Sequence, residues 1–316
     1  MRILVMGAGA MGTVVGGLMA KSGHDVTLVG RPENMNAVRA GGLRITGIWG
    51  EHHVTDAHAC SDTRDLTPGA FDLVLITVKS YDTGAAIAAV APVLGEETLV
   101  CSYQNGLGNA ETIAEHIGWR RTFGARVIFG AWLREPGWVE VTVIANPTAL
   151  GVYDAATPAD RVRAIAVAMD DAGIPTVYTD EIATVLWSKV TYNCALNPLS
   201  GLLDVPYGAL LETEHTRSIL REVVREVYAV GHALGVRLKP AAAEEYIDLL
   251  FNVLIPPTAA HYASMREDFR KRRRTEIDAL NGAIVRYGDL HGVSCPVNSM
   301  LTRLVLAREH ALRTPG

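Results

Sequence analysis

A chain of 316 residues with 49% hydrophobic composition can bury one large core or two smaller ones, and a formal net charge of −5 excludes nucleic acid as its principal partner. No stretch approaches the roughly 20 uninterrupted apolar residues of a membrane helix, and no basic segment precedes the first apolar run, so the expectation is a soluble, unexported, cytoplasmic protein. Cys60, Cys101, Cys194 and Cys295 are scattered without a CxxC pairing, which argues against a disulfide framework or a zinc site and fits a reducing compartment.

Residues 2 to 29 read as strand, glycine turn, helix and second strand, the span of one βαβ unit. Gly7, Gly9 and Gly12 form a GxGxxG in that context. The first glycine permits the tight turn, the second lets backbone approach a pyrophosphate, and the third lets helix and strand pack closely. With Ala8, Ala10 and Met11 between them, these residues predict a dinucleotide site. Where NAD-binding chains usually place an acidic residue after the second strand, this one has Arg31. A guanidinium offers donors to a 2′-phosphate and no acceptor to a hydroxyl, which favours NADP, although Glu33 nearby pulls the other way.

Short alternating runs between 43 and 60 predict a small hairpin around Gly47 and Gly50. His52, His53, His58 and Cys60 fall inside it at spacings that match no zinc pattern and read as ordinary exposed strand residues. Residues 71 to 78 are a continuous apolar run, as in a parallel strand covered on both faces, and Lys79 follows at its carboxyl end, where doubly wound sheets bind ligands. Residues 98 to 102 repeat that pattern, with Asn105 on the glycine-flanked turn beyond, either a ligand contact or a plain turn residue. Strands over 124 to 132, 138 to 145 and 149 to 152 are expected to extend the sheet with antiparallel members. A helix over 158 to 172 and a strand over 176 to 178 complete a first domain, residues 1 to 179.

A helical domain is expected over 180 to 316, opening with Asp180 as a plausible N-cap, with helices near 182 to 196, 215 to 234, 241 to 251, 269 to 291 and 298 to 310. In the first of them Lys189, Asn193 and Asn197 fall at i, i+4 and i+8, which stacks one ammonium and two carboxamides on a single face. That stripe either faces water or meets a bound carbonyl and carboxylate. Pro198 should kink or end the helix. The basic run from Arg270 to Arg274 reads as a solvated helix face.

The glycine motif, Val78 with Lys79, Gln104 with Asn105 and Gly106, the Lys189/Asn193/Asn197 helix with Pro198, Ser264 with Met265, and Thr275 to Asp278 occur in one order and spacing. Together with the segment from Gly292 to Asn298 they make the chain resemble the ketopantoate reductase (2-dehydropantoate 2-reductase) family over its full length. The resemblance implies an α/β protein: an N-terminal Rossmann-type doubly wound sheet followed by an all-helical domain, the active site in the cleft between them. It implies NADPH-dependent reduction of ketopantoate to pantoate on the route to pantothenate and coenzyme A. Lys189 then matches the catalytic lysine that donates the proton; Asn105, Asn193, Asn197 and Ser264 match substrate positions. Asn105 also lies by the cofactor, Glu276 matches a cofactor contact, and Arg31 and Lys79 match positions that meet the phosphate region of NADP.

Departures fall at the substrate end: Tyr207 aligns where the family can place a further asparagine, His261 stands where another can occur, and residues 142 to 146 lack a histidine and glycine. Two alternatives follow, a sibling reductase of a different 2-oxo acid and an NADP-binding sensor without chemistry. A small-molecule partner is expected, with neither nucleic acid nor membrane, and a homodimer is compatible with the apolar helices of the second half.

Overall fold

A computed structural model describes residues 1–313, which form two compact units. The first holds Met1–Asn105 and Asn109–Ile182; the second holds Gly106–Gly108 and everything from Ala183 onward.

In the first unit the chain runs β1 (Arg2–Met6), α1 (Ala10–Lys21), β2 (Asp25–Val29), α2 (Pro32–Gly41), β3 (Leu43–Gly47), β4 (His52–Val54), β5 (His58–Cys60), β6 (Leu73–Ile76), α3 (Thr83–Val90) and β7 (Leu99–Ser102). It continues through α4 (Asn109–Ile117), β8 (Thr122–Arg126), β9 (Phe129–Glu135), β10 (Trp138–Ile144), β11 (Thr148–Val152), α5 (Ala159–Asp171) and β12 (Thr176–Tyr178). The main sheet has eight strands in the order β12-β11-β8-β7-β6-β1-β2-β5, parallel except where β11 meets β8. From β1 the chain winds outward to β2 on one side and to β6 on the other, so the carboxyl ends of β1 and β6 flank the point where strand order reverses. Strands β1, β6 and β7 are almost wholly buried, which is why they read as unbroken apolar runs.

Two expectations need correction here. Strands β9 and β10 do not extend the main sheet: with β3 and β4 they form a separate four-stranded sheet in the order β4-β3-β10-β9, and the expected strand over 124 to 132 breaks between β8 and β9. Residues 43 to 60 are likewise not one hairpin, because β5 leaves it to pair parallel with β2. The second sheet covers α1, whose Leu18 and Met19 share a core with Ile45, Phe129, Val139 and Val141. A Cβ on Gly17 would lie 2.7 Å from Ile45 Cδ1, so α1 has to be bare there. A helix apolar nearly all round is what burial between two sheets requires.

The second unit is helical: α6 (Ile182–Leu203), α7 (Glu214–Ala233), α8 (Ala243–Leu249) continued by a π-helical turn over Leu250–Leu254, α9 (Ser264–Arg270), α10 (Asn281–His291) and α11 (Pro296–Arg313). The expected helix over 269 to 291 is broken into α9, a loop and α10. Arg272 adopts φ 51, Arg273 donates to the Asp268 carboxylate at 2.8 Å, and Thr275 donates to Glu309 through both its N–H, at 2.8 Å, and its hydroxyl, at 2.5 Å.

Pro198 does not end α6, which runs on to Leu203. Proline removes the bond that would reach the Cys194 carbonyl four residues back. Asn281 Nδ2 supplies a replacement at 3.0 Å, also lies 2.9 Å from Asn298 Oδ1, and Asn298 Nδ2 in turn donates to Glu226 at 2.7 Å. Glu226 caps α11 as well, accepting from the N–H groups of Val297 at 2.8 Å and Asn298 at 2.9 Å. Asp180, expected as the N-cap of α6, instead pairs with Arg163, while Thr179 Oγ1 accepts from Glu181 N.

Glu226→Ala removes the acceptor of the Val297 and Asn298 N–H groups and leaves Asn298 Nδ2 only a long 3.5 Å bond to Val223 O. It is expected to cost about 3–5 kcal/mol of unfolding free energy, read by urea titration of far-ultraviolet dichroism; a loss under about 1 kcal/mol would show that the chain of amides is not needed.

Candidate functional site

The glycine turn lies between β1 and α1, with Gly7 N and Ala8 N both donating to Val29 O, at 3.0 and 2.8 Å. Gly7 sits at φ +109, and a Cβ there would fall 2.6 Å from Val78 N, so backbone of two neighbouring strand ends is already in contact. A Cβ on Gly12 would meet Thr77 Oγ1 at 2.6 Å and Gly7 O at 2.7 Å. At Gly9 the corresponding space is open, its nearest atom being Gly7 O at 3.9 Å. Helix α1 has no side-chain cap and no acidic residue in its first turn, so its first N–H groups keep their positive end for an anion.

Several polar side chains that carry no motif shape this turn. Thr77 Oγ1 donates to Gly7 O at 2.8 Å. Asn34 is buried; its Nδ2 donates to Ala8 O at 2.9 Å while its Oδ1 accepts from Gly137 N at 2.8 Å. Arg31 is the exposed residue that caps α2, directly after β2, with Glu33 in the first turn beyond it.

The loops after β6 and β7 are tied to each other. Gln104 Nε2 donates to Val78 O at 2.9 Å and to Thr83 Oγ1 at 2.8 Å, Thr83 Oγ1 lies 2.9 Å from Asn109 Oδ1, and Asn109 Nδ2 donates to Asn105 O at 2.8 Å. Lys79 and Asn105 are thereby held at the same carboxyl edge of the sheet as the glycine turn. Gly7 through Gly12, Arg31, Lys79 and Asn105 are thus gathered where an open α/β sheet takes its ligand.

In the second unit Lys189, Asn193 and Asn197 lie along α6, the lysine and first asparagine half-buried and Asn197 buried. Tyr246 holds the helix from behind, donating to Ser188 O at 2.8 Å. Asn197 Oδ1 accepts from the Tyr207 hydroxyl at 2.7 Å. One turn further, buried Ser200 donates to Val205 O at 2.7 Å and accepts from Ala263 N at 3.3 Å, which fixes the approach to exposed Ser264 at the start of α9. Glu276 is buried and follows Thr275, whose bonds to Glu309 anchor the segment; Leu107 N donates to Ala279 O at 2.8 Å close by. The residues that sequence reasoning overlooked are Asn34, Thr77, Ser200 and Glu309, each of which acts on a partner far along the chain and has no spacing to betray it.

His52 Nδ1 lies 2.9 Å from Lys21 Nζ and its Nε2 lies 2.8 Å from Trp49 O, while His53 Nε2 meets Gly41 O at 2.7 Å. These histidines are spent on local structure. Among the described residues no group of His, Cys, Asp and Glu is placed to hold a metal, and no helix is long and apolar enough to cross a membrane.

The family model described as ketopantoate reductase PanE/ApbA matches residues 3–155, and that of the family's C-terminal region matches residues 181–309. The 2-dehydropantoate 2-reductase of Aquifex aeolicus is 37% identical over 309 residues, spanning 98% of this chain and 97% of its own. Among solved structures, a PanE/ApbA family ketopantoate reductase from Ralstonia eutropha superposes with TM-score 0.89 at 34% identity, covering 99% of this chain and all of that one. A ternary structure of D-mandelate dehydrogenase with NADH and anilino(oxo)acetate superposes with TM-score 0.88 at 25% identity, over 99% of this chain and 100% of that chain.

Gly12→Ala forces α1 away from Thr77 and the turn away from its contacts. Titration with NADPH followed by fluorescence is expected to give at least roughly tenfold weaker binding, a loss of about 1.4 kcal/mol or more; unchanged affinity would remove the close approach at residue 12 from the site.

Proposed function

The chain belongs to the ketopantoate reductase PanE/ApbA family, and from that premise we propose that it reduces the 2-oxo group of 2-dehydropantoate to the alcohol of pantoate, using NADPH. The observation that carries this reading is the ladder on α6, in which a lysine and two asparagines share one face and its inner member is buried with its acceptor oxygen already bonded. Ordinary solvated stripes do not fix a carboxamide in that way.

NADPH, when bound, supplies a hydride to the carbonyl carbon. The glycine turn and the N-terminus of α1 would hold the pyrophosphate, Arg31 and Lys79 would meet the phosphate region of NADP, Glu276 would contact the cofactor, and Asn105 would serve both cofactor and substrate. As the carbon–oxygen π pair moves onto oxygen, the Lys189 ammonium stabilises the developing charge and gives that oxygen its proton. Asn193, Asn197 and Ser264 would hold the substrate carboxylate and hydroxyl and so orient the carbonyl for reduction. The domain division between residues 179 and 180 is part of the same proposal: residues 1–179 carry the glycine turn and residues 180–316 carry Lys189. A water-soluble acid and a water-soluble coenzyme need neither membrane nor nucleic acid, and we place the reaction in the cytoplasm, carried out by a monomer or a homodimer.

A second reading, reduction of a bulkier 2-oxo acid, is favoured by the aromatic side chains Tyr207 and His261 at the substrate end and by the likeness to a dehydrogenase bound to anilino(oxo)acetate.

Steady-state assays of NADPH oxidation with a panel of 2-oxo acids test both. Highest kcat/KM for 2-dehydropantoate supports the first reading; a preference for an aryl-substituted acid supports the second. Lys189→Ala is expected to lower kcat by roughly 10²–10³, about 3–4 kcal/mol of transition-state stabilisation, with NADPH affinity unchanged; an unaltered kcat excludes the lysine. Arg31→Ala is expected to lower the ratio of kcat/KM for NADPH over NADH by roughly tenfold or more.

A further inference from the structure

Asn197 stands at the enclosed end of the α6 stripe, and Tyr207, from the short helical turn Tyr207–Leu211, meets it there. Both side chains are enclosed, Asn197 at 6% and Tyr207 at 4% exposure, and the phenol donates to Asn197 Oδ1 at 2.7 Å. A buried phenol has to find a hydrogen-bond partner. Desolvation pushes its pKa far up, so the hydroxyl stays protonated and remains a donor.

The ring is seated independently of that bond. It packs edge-on to Tyr192 with centroids 5.8 Å apart and tilted against His261 at 5.3 Å, while Tyr207 N donates to His261 O and Gly208 N to Ala259 O, each at 2.9 Å. Loss of the hydroxyl alone therefore leaves the ring in place.

A carboxamide has one accepting end and one donating end. With Oδ1 turned to the phenol, the opposite end of the Asn197 amide presents its Nδ2 hydrogens. Rotating the amide by half a turn would set Nδ2 against the phenol oxygen and leave the phenolic proton without an acceptor in a closed site, at a cost of about 1–3 kcal/mol. That penalty decides the orientation.

We propose that Tyr207 is a positioning residue: it locks the Asn197 carboxamide with its N–H groups toward the substrate, so that this subsite receives an accepting oxygen of a 2-oxo acid. The inference rests on the reduction proposed above, with Asn197 as a substrate contact, and adds the residue that sets what Asn197 can bind. In this chain an aromatic hydroxyl one shell out does by orientation what a further direct asparagine contact would do by touch.

The test is a double-mutant cycle on the full chain, with kcat and KM measured for 2-dehydropantoate on wild type, Tyr207→Phe, Asn197→Ala and the pair. Tyr207→Phe is expected to raise KM roughly tenfold with kcat changed less than about threefold. On the Asn197→Ala background the same substitution is expected to change kcat/KM by less than about twofold, because the amide it positions is gone. Equal loss on both backgrounds, or wild-type kinetics for Tyr207→Phe, would overturn the proposal and leave Tyr207 a core residue. Should the wild type turn over no 2-oxo acid, the reduction reading fails by itself; calorimetric binding of pantoate to the same four proteins then decides the positioning role by the same pattern of affinities. Were Tyr207→Phe not to fold, Asn197→Asp gives a second answer: it keeps an acceptor for the phenol but turns an oxygen to the substrate, and kcat/KM should fall at least roughly a hundredfold at a temperature where circular dichroism shows the variant folded. Wild-type kinetics in that variant would sink the proposal.

Discussion

The helix that carries Lys189, Asn193 and Asn197 survives a proline in its own middle, and the rest of the helical unit is built around that fact. Pro198 leaves the Cys194 carbonyl without its helical partner. Asn281 repairs the gap, Asn298 is bonded to Asn281, and the Glu226 carboxylate gathers Asn298 and the first N–H groups of α11. A carboxylate taken out of water is tolerable only when its oxygens are filled, and here three donors fill them. Four helices, α6, α7, α10 and α11, are thereby fixed to one another through amides whose geometry admits little slack. The continuation of α6 then lets Ser200 reach Val205 O and Ala263 N, so the same repair that rescues the helix also places the start of α9.

The dinucleotide end obeys a different constraint, close backbone approach. Helix α1 lies between two sheets, and its glycines are where a side chain would strike a neighbour. Neutral hydrogen bonds to carbonyls shape the turn and the loop beside it: Thr77 to Gly7 O, Asn34 to Ala8 O, Gln104 to Val78 O. Neutral ties suit a site meant for a polyanion. They leave the positive end of α1 uncancelled and put no carboxylate in the first turn.

Features set by short-range spacing could be read directly from the chain. The βαβ glycine turn, the buried strands ending at Lys79 and before Asn105, and the i, i+4, i+8 ladder all depend on residues within a turn or two of one another. What escaped prediction depends on partners far away. The fate of Pro198 is decided by Asn281, 87 residues beyond the Cys194 carbonyl it serves. The break between α9 and α10 is decided by Glu309, 34 residues beyond Thr275. Strands β9 and β10 alternate as sheet-extending strands should, yet β10 pairs with β3 and β9 with β10, and nothing in their own sequence distinguishes one sheet from another. Helical periodicity runs unbroken through Arg272, and only the left-handed backbone there shows that the chain has turned.

The contrast between the two halves bears on how such a protein comes to prefer one oxo acid over another. In the proposed reaction charge does the coarse work: a lysine at the reacting oxygen and donors around phosphates attract any anion of the right length. Discrimination needs groups that cannot reorient, and a free carboxamide is a poor discriminator, since half a turn about its last bond exchanges donor for acceptor. Asn197 escapes that ambiguity through a neighbour buried by aromatic rings rather than through anything on its own helix. Selectivity can then shift between relatives by changing the residue behind the ladder while lysine and asparagines stay put. Tyr207 and His261 form that outer layer beside Asn197, while Lys189, Asn193 and Asn197 stand in line on α6.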